Sequence, residues 1–185
     1  MALEPEQIEK EINIDKVQKI WDKYKLIILI TIVIIITVFI GSQVYMSSVK
    51  KSNEVASQIY QQIIMENIDN IDIIKEGVAQ LKENHSATPY SSRGAIFLSR
   101  SLINKNMNDE AVVELLWASK NANEKSIESL SLYSLSNIYL ASKNLEDAMT
   151  TANKISTPGY IGLKNDLLGD IYIAGNDKEK ARISY

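Results

Sequence analysis

The chain of 185 residues has no cysteine, one histidine, three prolines and seven glycines, and its acidic residues outnumber the basic ones to leave a formal charge of −3. Without a thiol there is no disulfide, thiolate nucleophile, zinc-thiolate site or lipid-modified N-terminal cysteine. The lone imidazole, His85, falls in the turn before Pro89, and no motif marks a serine nucleophile, so catalysis would rest on carboxylates alone. Acidic pairs such as Asp109-Glu110 and Glu146-Asp147 stand where helices begin, and the macrodipole accounts for them without any catalytic purpose. Phosphate binding needs clustered Lys and Arg, and no basic patch or stripe is present, which argues against nucleic acid. No enzyme, cofactor or metal is therefore expected. Scarce Gly and Pro, and no sustained apolar-polar alternation, remove the usual marks of a β-rich domain.

One long hydrophobic run is present. Residues 26–40 are fifteen positions without a charge, and the continuation to Met46 gives about 20 residues, which at 1.5 Å per residue span roughly 30 Å of hydrocarbon. Trp21 and Tyr24 flank one end and Tyr45 the other, where amphipathic rings favour the headgroup layer. Lys10, Lys16, Lys19, Lys23 and Lys25 precede the run, against Lys50 and Lys51 after it, so the tail, residues 1–25, is expected in the cytosol. The run lies far from the N-terminus, and the small residues near Gly41 and Ser47 make poor cleavage sites, which favours an uncleaved signal anchor over residues 26–46. Residues 47–185 are then expected outside the cytosol, in the periplasm of a Gram-negative cell. In the tail, Ile8, Ile12, Val17, Ile20 and Tyr24 fit either one apolar helical face above the bilayer or a solvated lead into the membrane helix.

After Ser47 apolar residues recur at spacings of three and four, so this part reads as all-α. Breaks rich in capping and turn residues fall at 67–70, 83–89, 104–109, 121–125, 143–144, 156–159 and 175–177. The helical runs repeat one another. Leu98-Ser99 and Leu102 are followed by Ala111, Leu135-Ser136 and Tyr139 by Ala148, and Leu168-Gly169 and Tyr172 by Ala181. The small residue precedes its alanine by twelve positions each time, and the units start 37 and then 33 residues apart, close to the tetratricopeptide period. Ser99, Ser136 and Gly169 let a second helix approach, Ala111, Ala148 and Ala181 reciprocate, and Leu102, Tyr139 and Tyr172 fill the space between pairs. The units cover about 92–125, 129–160 and 162–185. Residues 55–81 read as a degenerate pair without the small-residue register. The sequence stops at Tyr185, about two turns into a second helix, which implies either a partner capping the solenoid or a chain shorter than its relatives.

A solenoid of helix pairs offers a face lined by first helices, suited to an extended segment or a partner helix. By register that face carries Ile96, Arg100, Tyr133, Asn137, Asp166 and Asp170, a mixture suited to protein rather than a small molecule. A carboxylate clamp would need Lys and Asn aligned on successive first helices, and Asp166 and Asp170 count against one.

The order of parts, from a short lysine-bearing tail through one membrane helix to Ser52, Ala56 and Tyr60 leading into helix pairs and an Ala181-Arg-x-x-Tyr185 ending, resembles the YfgM-type ancillary subunits of the bacterial Sec translocon. The resemblance implies an inner-membrane, single-pass protein with a cytosolic N-terminus and a periplasmic repeat domain. It further implies partners in Sec translocon subunits and a membrane-anchored periplasmic chaperone, and a part in handing translocated proteins to folding factors. Relatives continue beyond the position of Tyr185. The fold and anchor equally fit a scaffold for another envelope complex, such as division, pilus or outer-membrane assembly machinery.

Overall fold

The computed structural model describes residues 5–65 and 70–185, with side chains from Gln18 and from Ile20 onward. The expected tail face at Ile8, Ile12 and Val17, the lysines at 10, 16 and 19, and the break at 67–69 lie outside the described residues and side chains. Two compact units emerge, Met1–Val49 and Lys50–Tyr185. About 87% is helix and no strand occurs among the described residues.

Helix α1, Pro5–Met65, supplies the first unit and the opening of the second. From Ile20 to Lys50 every side chain is exposed, including the whole apolar run. The hydroxyls within that run are satisfied by the helix itself: Thr31 donates to the Ile27 carbonyl and Thr37 to that of Val33, both at 2.8 Å. A helix in hydrocarbon needs such internal satisfaction. The helix is long and apolar enough to cross a membrane by length and composition. Trp21, Tyr24 and Tyr45 flank the run and are exposed, with the Lys23 ammonium 5.3 Å from the centre of the Tyr24 ring.

The second unit is a succession of helix pairs. Residues 50–65 of α1 precede α2, Ile71–Asn84; α3, Pro89–Asn104, precedes α4, Asn108–Asn121; and α5, Lys125–Ala141, precedes α6, Leu145–Asn153. A 3₁₀ turn at Pro158–Tyr160 leads into α7, Ile161–Ala174, and α8, Lys178–Ser184. Three of the turns inside these pairs close alike. Asn106, Lys143 and Asn176 take left-handed backbone with φ near 60°, spaced 37 and 33 residues apart. In each, the next residue's N–H reaches back to a carbonyl five positions earlier: Met107 to Leu102 at 2.9 Å, Asn144 to Tyr139 at 2.9 Å and Asp177 to Tyr172 at 2.8 Å. The helix end thus satisfies its orphan carbonyls and reverses within three residues. The acceptors Leu102, Tyr139 and Tyr172 are the residues expected to fill the gap between pairs. Two of the reaching residues also open the next helix: Asn144 Oδ1 accepts from Asp147 N–H at 3.3 Å, and Asp177 Oδ1 from Lys180 N–H at 3.1 Å.

Burial falls into two clusters. The larger runs from Ala56 and Ile63 through Val78, Leu98, Leu102 and Leu115 to Leu135; the smaller gathers Ala148, Ala152, Leu167 and Ile171. Tyr139 packs against both. The small positions work in three ways. Ser136 donates its hydroxyl across the pair to the Ala148 carbonyl at 2.7 Å, which only a close approach of α5 and α6 permits. Ser99, also buried, donates within its own helix to the Ile96 carbonyl at 2.7 Å. Gly169 seats a side chain instead: a Cβ there would fall on the Tyr185 ring, and Ala181 is buried. Two further glycines pack outside this register. Gly77 of α2 lies against Ile63, with a Cβ meeting its side chain at 2.8 Å, and Gly94 of α3 lies against Leu81 at 3.0 Å.

Candidate functional site

On the side lined by first helices, α3 touches α5 and α5 touches α7. Helix α3 turns Ala95, Leu98, Ser99 and Leu102 into the core and leaves Arg93, Ile96, Phe97 and Arg100 on another face, at the i, i+3, i+4, i+7 spacing of one helical stripe. That stripe forms the floor of a groove of about 260 Å³, walled by Tyr60 of α1 and by Ile127 and Leu130 of α5. Ile96 and Phe97 are half-buried against the larger cluster, so the floor is anchored rather than mobile surface. The Tyr60 ring leans on Tyr90 at 45° with centroids 5.8 Å apart. Burial raises the pKa of the Tyr60 hydroxyl above the ordinary tyrosine value, while the charges of Arg93 and Arg100 pull it down, so both guanidinium groups lie within electrostatic reach of the groove wall.

The two arginines differ. Arg93 is committed: one terminal nitrogen meets both Glu124 carboxylate oxygens at 2.8 and 2.9 Å, and the other donates to the Pro89 carbonyl at 3.1 Å. Arg100 is exposed and, among the described residues, has no hydrogen-bond or ion-pair partner. The cleft between α2 and α4, about 310 Å³, contrasts with this. There Lys75 pairs with Glu110 at 2.6 Å, and Lys82 pairs with Glu114 at 2.9 Å while lying 5.0 Å from the Trp117 ring centre. That surface balances its own charge; the groove leaves one cation open.

Of the six residues expected on the first-helix face, Ile96 and Arg100 line this groove. Tyr133 packs half-buried against the smaller cluster, and Asn137 donates to its carbonyl at 2.9 Å, which ties both into α5. Asp166 and Asp170 are exposed on α7, and Asp170 accepts from the Tyr185 hydroxyl at 2.7 Å. That hydrogen bond, then burial and the charges of Asp170 and Asp166, raise the Tyr185 pKa above the ordinary value. Tyr60, Arg93, Phe97, Ile127 and Leu130 belong to the groove without having been assigned to the binding face from sequence. Arg93 and Phe97 share the stripe of Ile96 and Arg100 and were legible by that spacing. Tyr60 belongs to the pair that reads as degenerate, without the small-residue register.

His85 serves the fold: its Nδ1 lies 2.8 Å from the Ser52 hydroxyl, which joins the turn after α2 to α1 within the second unit. No group of three His, Cys, Asp or Glu able to hold a metal ion occurs among the described residues.

A family model described as a tetratricopeptide repeat-like domain matches residues 18–185. No curated protein and no solved structure matches the chain.

Proposed function

Because the chain belongs to the tetratricopeptide repeat-like domain family, whose fold is typically a non-catalytic protein-interaction scaffold, we propose that it is an inner-membrane adaptor working beside the Sec translocon. In this reading residues 1–25 stay in the cytosol and residues 26–46 cross the bilayer once. Residues 47–185 stand in the periplasm and help pass emerging proteins to a membrane-anchored chaperone. The observation that carries the docking role is the groove across α1, α3 and α5, with an apolar floor and one uncommitted cation. The lysine excess before the run supports the orientation. The self-satisfied hydroxyls of Thr31 and Thr37 support the crossing. The order of parts, which resembles that of the translocon's ancillary subunits, supports the choice of partner.

The test is a photocrosslinker placed at Arg100 or Tyr133 in the full chain, expressed in cells. Adducts with translocon subunits or with a membrane-anchored periplasmic chaperone are expected. Adducts confined to division, pilus or outer-membrane assembly components would replace this partner with another envelope complex.

A further inference from the structure

We propose that the groove of Tyr60, Ile96, Phe97 and Arg100 takes an apolar peptide segment carrying one internal Asp or Glu side chain, whose carboxylate pairs with Arg100. The proposal deepens the docking reading above and rests on it, but not on the identity of the translocon as partner.

Three observations select this occupant. The floor and far wall, Ile96, Phe97, Ile127 and Leu130, are aliphatic or aromatic, so the matching surface is apolar. The volume of about 260 Å³ suits one or two large side chains rather than a whole helix. The charge then fixes the chemistry. Arg93 already holds Glu124 in a two-oxygen contact, and Arg100 is left as the single open guanidinium beside the apolar floor of a chain whose net charge is −3. A guanidinium presents two parallel donors that match the two oxygens of one carboxylate, and it binds most strongly where apolar neighbours thin the water around it. Capture of a chain terminus draws on several converging donors such as backbone nests, whereas one side-chain carboxylate needs only this one fork. The acidic residues Asp166 and Asp170 lie on α7 and do not line the groove.

The experiment uses the full chain in lipid nanodiscs, with binding to empty nanodiscs subtracted. The probes are fluorescent dodecapeptides capped at both ends, each with a Leu-Glu-x-Leu-Phe core. A matched set replaces Glu by Gln, and a third set carries Gln and a free terminal carboxylate. The Glu peptide is expected to bind about tenfold tighter than its Gln partner, the scale of one charge-assisted contact. Arg100→Gln, at an exposed position, should bring that ratio close to one while leaving the Gln peptide unchanged. Phe97→Ala should weaken both peptides alike, and Arg182→Gln, far along the chain on α8, should alter neither. Equal binding of Glu and Gln peptides, a preference that survives Arg100→Gln, stronger binding of the free-terminus peptide, or no saturable binding of any would overturn the proposal. Crosslinks to translocon subunits can fail while the Glu preference stands, and the reverse, so the two readings are separable.

Discussion

Two glycines in helices illustrate how surroundings decide the sign of one substitution. In a helix interior Ala exceeds Gly by about 1 kcal/mol, so propensity favours replacing both Gly77 and Gly169. At Gly77 the added methyl meets Ile63 at 2.8 Å, and Ile63 is only 2% exposed, with no room to withdraw. Gly77→Ala should therefore destabilise by about 1 to 3 kcal/mol net of the propensity gain. At Gly169 the obstacle is the Tyr185 ring, which is 64% exposed and able to swing into solvent. Gly169→Ala should change stability by less than about 1 kcal/mol while breaking the Tyr185 to Asp170 bond. Denaturant titration of both variants, read at constant slope, checks the contrast. Lys143 makes the complementary case. It holds φ 60° where the equivalent positions are Asn106 and Asn176, and Lys has no local side-chain compensation for that conformation. Lys143→Gly should raise stability by about 0.5 to 1 kcal/mol, and a fall in the unfolding midpoint would contradict the assignment.

At the scale of elements, the repeat was legible because its chemistry is forced. A helix pair that approaches closely enough for Ser136 to reach the Ala148 carbonyl must carry small residues at both positions, and the spacing of those residues announces the pair. The turns were half legible. Asn106 and Asn176 belong to a residue type that tolerates left-handed backbone, whereas Lys143 gives no such sign and is placed there by its neighbours. The first pair was obscure because its small residue, Gly77, faces Ile63 rather than standing twelve positions from an alanine. Without that register, Tyr60 could not be assigned to a groove. The last helix carries its own pH dependence. Tyr185 is held by Asp170, and its pKa is raised above the usual value of 10.0. A raised folded pKa means that the contribution is complete below the unfolded value and lost as pH climbs through the folded one. The difference in melting temperature between the natural chain and Tyr185→Phe should therefore be constant from pH 7 to 9 and shrink above about pH 10. A difference that persists at higher pH would show that the hydroxyl bond contributes nothing to holding Tyr185 on α7.

The whole molecule has a helix with an exposed apolar run and a helical unit with a groove that leaves Arg100 open. On the proposed reading the groove meets emerging proteins only if the helix pairs stand outside the cytosol, the direction that the lysine excess before the run favours. Absence of cysteine makes this direction measurable, since any thiol introduced is the chain's own single probe. Lys120 is exposed on α4, and Lys10 belongs to the tail. The direct measurement is labelling of Lys120→Cys and of Lys10→Cys by a membrane-impermeant maleimide in cells whose outer membrane alone has been opened. The account expects Lys120→Cys to label at once and Lys10→Cys only after the inner membrane is lysed; the opposite pattern would contradict it.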